Sequence, residues 1–522
     1  MGEDDTGIKL AELVASFSLA TDLGMGLPME HVLRSWRIAA RLGEEFGVAD
    51  DDRAALYYVI TLAWVGCVAD TPEVVAVFGD DIAFRAESYE VDFAGLPMLG
   101  FMLRHVGAGS PALHRIRLGA RLVATGGKAV ERGLISHCLS TASMASRLGL
   151  GDDVSGPLQQ VFARWDGKGV PGDLHGEAIA LPMRLFHLAD TVEVFHRAKG
   201  TAAAVDVARE RRGKHFDPTV VDTFCAVAGE VLGDPGEEPD WHALIEREPS
   251  LSRRLSTTEL DTALEAIADF TDLRSVNRAG HSRAVGDLAA LAAELRGLPD
   301  HDVATVRRAG LVHDLGLHGI PGTILDKPGP LSATDQERMR MQTYYAQRMM
   351  ARPPGLAQIG NIASMVHERA DGSGYHRGLA GPALPATARV LAAACAYRAM
   401  IEPRPHRPAM APADAAAELR SEVRAGRLDA DSVDAVLTAA GQPVKKRRAG
   451  PAGLTPREIE VLTLIARGAS TRQVAQRLTI TPKTAETHIE RIYAKIGAST
   501  RSTATLFAMQ NGLLDSLDPL DP

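Results

Sequence analysis

An internal repeat constrains this chain more than any other feature. Residues 164–190 (RWDGKGVPGDLHGEAIALPMRLFHLAD) align without a gap on residues 369–395 (RADGSGYHRGLAGPALPATARVLAAAC) at an offset of 205, with nine of 27 positions identical. The shared positions include Arg164 with Arg369, both Asp-Gly-x-Gly cores, and Arg184 with Arg389. Two unrelated Ala-rich segments should not agree this well, so one domain occurs twice. Each copy carries a histidine at the head of an amphipathic helix, His31 in HVLRSWRIAARLG and His281 in HSRAVGDLAALAAEL, followed by apolar residues at helical spacing. The copies are placed at 1–232 and 256–442. The segment 233–255, rich in Pro, Gly and acid, reads as a connector, and 443–453 as a basic linker to a last domain at 454–522. No strand-rich region is evident, and the expected fold class is all-α.

The charge is unevenly spread. The chain of 522 residues has a formal net charge of -9, yet between residues 445 and 514 there are 12 Lys or Arg against 4 Glu, which leaves the remainder near -17. Only the C-terminal piece is suited to a polyanion. The nearly apolar run 55–69 is shorter than the roughly 20 residues that cross a bilayer, so it is expected to be a buried helix. MGEDDTG fits a loose myristoylation pattern, but its acids argue for a chance match. The four cysteines are dispersed without a CxxC pair, so no disulfide framework is expected, and a cytoplasmic protein without membrane contact is the expectation.

Helix caps parse the C-terminal piece. Thr455 with Glu458, and Ser470 with Gln473, form capping boxes, Thr481 caps a third helix that Gly497 ends, and a fourth helix runs from about Arg501 to Asn511-Gly512. The short LTIT link makes helices two and three a helix-turn-helix. Ala485, Ile489, Ile492 and Ile496 recur at spacings of 4, 3 and 4 and face the core, which turns Lys483, Thr484, Glu486, Thr487, Arg491 and Lys495 outward as the candidate double-stranded-DNA contacts. The signature pieces LTPRE, ARG, TPKTAETH and YAKIG resemble the LuxR-type DNA-binding domain of bacterial transcription regulators over about 60 residues. That resemblance implies a homodimer on two half-sites, with residues 503–509 of the fourth helix as a candidate contact. KKRR at 445–448 is a candidate phosphate contact, equally readable as solvated linker.

In the second copy His281, the pair His313-Asp314 and His367 are clustered in type and spacing as a metal-assisted phosphohydrolase requires. From residue 281 to about 410 the chain resembles HD-GYP domains, helical phosphodiesterases acting on cyclic di-GMP at a two- or three-metal centre. Several positions depart from that pattern. The family's HDxGK reads HDLGL, with Leu317 for Lys; ligand positions fall at Gln342, Val366 and Cys395; and GYP reads Gly374-Tyr375-His376. What remains implies one divalent ion held by His281, His313 and Asp314, joined at most by Cys395, with catalysis not favoured. The loop with His367, Asp371 and Tyr375 is the candidate ligand pocket. The first copy departs further. His31 and Asp190 stand at ligand positions, but Ala63-Trp64 replaces the HD pair and Val161-Phe162 the later His pair, and these apolar residues are expected to fill the former metal cavity. His137 and His187 are expected to be structural.

These readings give a transcription regulator whose HD-GYP-derived domains sense a nucleotide effector or dimerise. A metal-dependent cyclic dinucleotide phosphodiesterase with a DNA-binding tail, or a ligand-independent interaction scaffold, are the alternatives.

Overall fold

The computed structural model describes residues 5–92, 94–124, 128–234, 240–443 and 450–514. Helices dominate it, as expected, and the chain divides into two compact units between residues 443 and 444.

Both copies lie in the larger unit, and the backbone repeats with the sequence. In the first, Leu10–Gly24 leads to His31–Glu45, Asp50–Leu62 and a tight turn at Val65–Val68; in the second, Thr257–Asp272 leads to His281–Leu295, Asp300–Val312 and a turn at Leu315–Gly319. Further on, Lys128–Arg147 and Leu181–Lys199 correspond to Ala333–Met350 and Ala386–Ile401. The offset falls from 250 at the leading histidines to 205 in these later helices, so the first copy carries about 45 extra residues. They form the helices Asp81–Ser88, Gly95–His105 and Ala112–Ala124, which have no counterpart among the described residues of the second copy.

One element departs from the all-helical expectation. Asp5–Lys9 pairs antiparallel with Arg254–Ser256, each strand directly preceding the first helix of its copy. Strands of five and three residues are too short to register as a period-two pattern. The connector is therefore anchored. It contains the helix Trp241–Glu246 with Trp241 fully buried, its Glu248 accepts from Arg53 Nε at 3.0 Å, and its end lies in the sheet.

The two halves share a buried charge network. Arg274, 1% exposed, donates to Asp81 Oδ2 at 3.0 Å, to Thr71 Oγ1 at 3.2 Å and to the carbonyl of Ile320 at 2.6 Å. Asp81 also accepts from the Gly322 amide at 2.8 Å and from Arg85 at 2.9 Å. Buried charges persist only when paired on most sides, and here the partners come from both copies. The apolar run 55–69 ends one helix at Leu62, turns, and is largely buried. Among the described residues no single helix is long and apolar enough to cross a membrane, and the one helix pair of suitable composition, 52–68 with 71–78, bends by 56°.

The smaller unit follows the caps. Thr455, Ser470, Thr481 and Thr500 each accept a first-turn backbone N–H at the heads of Pro456–Ala466, Thr471–Arg477, Pro482–Ile496 and Arg501–Gln510. Gly497 closes the third helix at φ +65°, in the left-handed region that favours glycine. Ala485 and Ile492 are buried with Val461, Leu462 and Val474, and Ile489 and Ile496 pack partly buried against them.

Candidate functional site

In the second half three helices converge. The head of His281–Leu295 supplies His281, the residue just past Asp300–Val312 is His313, and Ala386–Ile401 supplies Cys395. One donor atom from each lies within 4.8 Å of the others, all three residues being buried. The ring tautomers follow from the remaining bonds. His313 Nδ1 lies 2.7 Å from the carbonyl of Gly310 and must donate to it, leaving Nε2 as the lone-pair nitrogen, 3.7 Å from Cys395 Sγ. His281 Nδ1 lies 2.6 Å from the Glu402 carboxylate, so its Nε2 is likewise left for the cluster. A carboxylate or carbonyl behind each imidazole is the arrangement that fixes metal-binding histidines. Burial, then for His281 the guanidinium charges of Arg278 and Arg404 and for His313 the neighbouring His281, holds both rings far below the ordinary histidine pKa, so they are neutral donors. Burial raises the Cys395 thiol, which a bound cation would oppose.

Asp314 stands beside them, with Oδ1 3.4 Å from His313 Nε2 and Oδ2 3.7 Å from His281 Nε2, and it is paired with Arg278. Two imidazoles, a thiol and a carboxylate fit one borderline divalent ion. A second ion has no donor set among the described residues. Gln342 donates to the Tyr375 hydroxyl at 3.3 Å, Val366 is buried, and Leu317 packs with Ile320 and Ile324 in an apolar cluster. His367 stacks on Tyr375 at 4.9 Å and lies close enough to His313 to interact with it. Asp371 is turned to solvent and accepts from the amide and hydroxyl of Ser373. Of the three expected pocket residues, two therefore lie by the cluster and one closes its own turn. Sequence reasoning missed Arg278, Glu402 and Arg404, since no motif marks them.

The equivalent place in the first half has the opposite electrostatics. His31 Nε2 lies 3.0 Å from Asp190 Oδ1, its Nδ1 is bonded to Glu193, and Arg34 Nε reaches Glu193 at 2.6 Å. Burial opposes protonation of His31, but Glu193 and Asp190 outweigh it and push the imidazole up to about 10. Trp64, at the position of Asp314, donates its indole N–H to Asp190 at 2.7 Å. His137, at the position of Gln342, donates from Nε2 to the carbonyl of Ala63 at 2.8 Å and is held neutral by burial, near 4. His187 likewise bonds the carbonyl of Val161 at 2.9 Å.

Apolar residues take the ligand positions here, and a cavity lies beside them. A cavity of about 660 Å³ extends from Trp64, Phe162 and Phe186 to Phe84, Met98 and Leu122 of the inserted helices. The former ligand positions are filled as expected, with Trp64 packed on His137, Phe162 and Phe186 and bonded to Asp190, while the insertion stands away from them and encloses a further volume.

In the C-terminal unit Lys483, Thr484, Glu486 and Arg491 are exposed on the third helix, with Thr487 half-buried. Lys483 pairs with Glu486 at 3.1 Å. Thr487 donates to the carbonyl of Lys483 at 3.1 Å, and Thr484 shares a hydroxyl contact with Thr481 at 2.8 Å. Lys495 is bound back to Glu458 at 2.7 Å, a partner the helical pattern could not reveal. Leu506 and Met509 on the fourth helix are 53% and 62% exposed. The KKRR run lies outside the described residues.

Comparison with known proteins agrees with both units. Residues 265–432 match the model of the HD domain, and residues 452–508 that of bacterial regulatory proteins of the luxR family. A 3'3'-cGAMP-specific phosphodiesterase 3 of Vibrio cholerae is 26% identical over 421 residues, covering 79% of this chain and 90% of the relative. A cyclic di-GMP phosphodiesterase of Thermotoga maritima is 35% identical over 146 residues, 28% of this chain and 40% of the relative. The crystal structure of a cyclic GMP-AMP specific phosphodiesterase of V. cholerae superposes with a TM-score of 0.59 at 22% identity, covering 84% of this chain and 98% of that one, a likeness of fold.

Proposed function

From a chain that carries an HD domain and a LuxR-type DNA-binding domain, we propose a DNA-binding transcription regulator whose two HD-derived halves act as a sensory or dimerisation module. The observation that carries this reading is the contrast in completeness between its parts. The C-terminal unit keeps every cap, its core and an outward Lys483 and Arg491. The second half keeps donors for one ion, with Asp314 already paired to Arg278, and the first half keeps none arranged for a cation.

Lys483 and Arg491 are assigned to phosphates, and Thr484, Glu486 and Thr487 to base edges, with Lys495 held back by Glu458 until DNA competes for it. The exposed Leu506 and Met509 support a homodimer through residues 503–509. A nucleotide effector is placed at His367, Tyr375 and the loop of Asp371, where the Arg340 guanidinium lies 5.8 Å from the Tyr375 ring. His281, His313 and Cys395, with Asp314, would hold one divalent ion, which would supply Lewis acidity to a bound phosphate. Around it, Glu402 and the Gly310 carbonyl orient the rings, and Arg278 neutralises Asp314.

Electrophoretic or anisotropy titration of full-length protein with duplex DNA tests the reading. Binding should weaken steeply with salt, and Lys483→Ala or Arg491→Ala should lower affinity for all sequences and reduce the salt slope by about 1. Thr487→Ala should change base preference. Absence of salt-dependent binding by folded protein would falsify the reading.

The phosphodiesterase alternative is favoured by the three-donor cluster and by the relatives' activities. It is separated by a cyclic dinucleotide hydrolysis assay with added manganese or iron: no appreciable turnover is expected, whereas a rate of about 1 per second or more, abolished by His313→Ala, would establish it.

A further inference from the structure

The first half contains a ligand-sized space that the repeat does not explain. At about 660 Å³ its volume falls within the range of about 300–1,000 Å³ of small-molecule sites. Its two walls have different origins. Trp64, Val161, Phe162 and Phe186 come from elements the second half also has, while Phe84, Met98, Leu118 and Leu122 come from the insertion. A helix insertion serving only stability would be expected to close on the old site and bury these side chains against it. Instead it stands off, and Trp64 is fixed in place at the boundary by its bond to Asp190.

The chemistry of the lining selects the ligand. Most of it is aromatic or aliphatic. Six cationic side chains line it: Arg85 is paired with Asp70 and Asp81, Arg164 with Asp92 and Asp166, Arg211 donates to the carbonyl of Tyr89 at 2.9 Å, and Arg121, Arg132 and Lys168 are exposed. Asp190 is held by His31 and Trp64. The buried cations are already bonded, and separating a buried pair is costly, so the interior favours a ligand without phosphate. We propose that this cavity is a binding site for an apolar, aromatic small molecule, a ligand class different from the nucleotides placed at the second half. As the input of a regulator the site rests on the reading above; as a binding site it does not.

The cavity wall is also joined to the second half. Arg85 lines the cavity and bonds Asp81, which Arg274 and the Gly322 amide of the second copy hold. A ligand that alters the setting of Arg85 therefore acts on a contact between the copies.

The test uses full-length protein and the uncharged fluorophore N-phenyl-1-naphthylamine. Its emission should saturate at one probe per chain, with energy transfer from tryptophan that falls in Trp64→Phe. Met98→Trp, which fills the cavity, should weaken binding at least tenfold at unchanged circular dichroism. Val77→Trp, at the half-buried edge of the lining, serves the same purpose if Met98→Trp does not fold. His313→Ala, in the other half, should leave probe binding unchanged. Lack of saturable binding, or binding undiminished in a folded cavity-filling variant, overturns the proposal. Duplex-DNA titration of the same samples keeps the two claims apart, because loss of DNA binding with probe binding intact removes the regulator and leaves the site.

Discussion

His31 and His281 head equivalent helices of one repeated domain and have opposite protonation. His31 lies between Asp190 and Glu193 and is cationic, whereas His281 lies among Arg278, Arg404 and Arg398 and is neutral. The difference shows two ways of balancing charge at one buried position of the repeat. Where carboxylates remain, a cation must balance them, and in the first half the imidazolium does so. Where the nearby cations are arginines, the histidines stay neutral and keep their lone pairs for a ligand. The decay of the two halves is also complementary. The first retains His137 and Asp190 where the second has Gln342 and Cys395, and the second retains His313, Asp314 and His367 where the first has Ala63, Trp64 and Phe162. Both carry valine at 161 and 366.

The sharpest way to break this contrast is to add metal, an all-or-none effect. Titration with Co²⁺ is expected to fill one site per chain and to produce a thiolate-to-cobalt charge-transfer band. That band should vanish in Cys395→Ser, binding should be lost in His313→Ala, and both should survive His31→Gln. Metal that persists without His313 and disappears without His31 would reverse the assignment of the halves.

Next in size is the joint between them. Arg274→Met leaves Asp81 buried with one fewer cation, and breaking a buried pair costs about 3–5 kcal/mol. Urea unfolding of the full chain should register that loss. Breaking the exposed pair Arg212 with Asp222, confined to the first half, should leave the unfolding midpoint nearly unchanged, because solvent screens it. Comparable effects from the two would mean that the copies do not depend on their shared network.

Much of this was legible in the sequence, for definable reasons. His281, His313 and Asp314 are recognisable by type and spacing, and the constant offset leads from Asp190 to Cys395. The caps of Thr455, Ser470 and Thr481 act within a few residues, so they could be read locally. Arg278, Arg404 and Glu402 could not be found that way, because the bonds that matter join Glu402 to His281 and Arg278 to Asp314 across the fold. The cavity beside the ligand positions of the first half was not legible for a related reason. Aromatic side chains at ligand positions exclude further space only if neighbouring elements close on them, and the insertion that stands away from them is visible in the sequence solely as a change of offset from 250 to 205.

A smaller, pH-dependent effect sharpens the electrostatic contrast. The groups facing His31 are Asp190, Glu193 and Asp22, with Arg34 bound to Glu193. Asp22 is itself raised to about 7 by burial, and Glu193 is lowered to about 2, its burial being outweighed by His31 and Arg34. His31 has its folded pKa raised from 6.5 to about 10. Its contribution is thus fully present below pH 6.5 and lost as pH rises toward 10. Denaturation midpoints should fall between pH 7 and 10, and the fall should flatten in His31→Gln, which is expected to cost a few kcal/mol at pH 6.5. An unchanged slope in that variant would move the titration to another group.

The smallest expected effect concerns how each copy begins. Ser256 accepts the Glu259 N–H at 3.3 Å while Glu259 accepts the Ser256 N–H at 2.9 Å, a reciprocal capping box at the head of Thr257–Asp272. At the head of Leu10–Gly24 the same place is Lys9, whose ammonium cannot accept, so only the bond from the Lys9 N–H to Glu12 at 3.0 Å is made. Ser256→Ala removes an acceptor from an orphan N–H and should cost about 1 kcal/mol. Lys9→Ala removes no cap and loses only an ion pair with the exposed Glu246, which solvent screens. Urea unfolding of the two variants tests this: Ser256→Ala should be the more destabilising, and the reverse order would mean that the first helix of the first copy depends on Lys9 for something other than its cap.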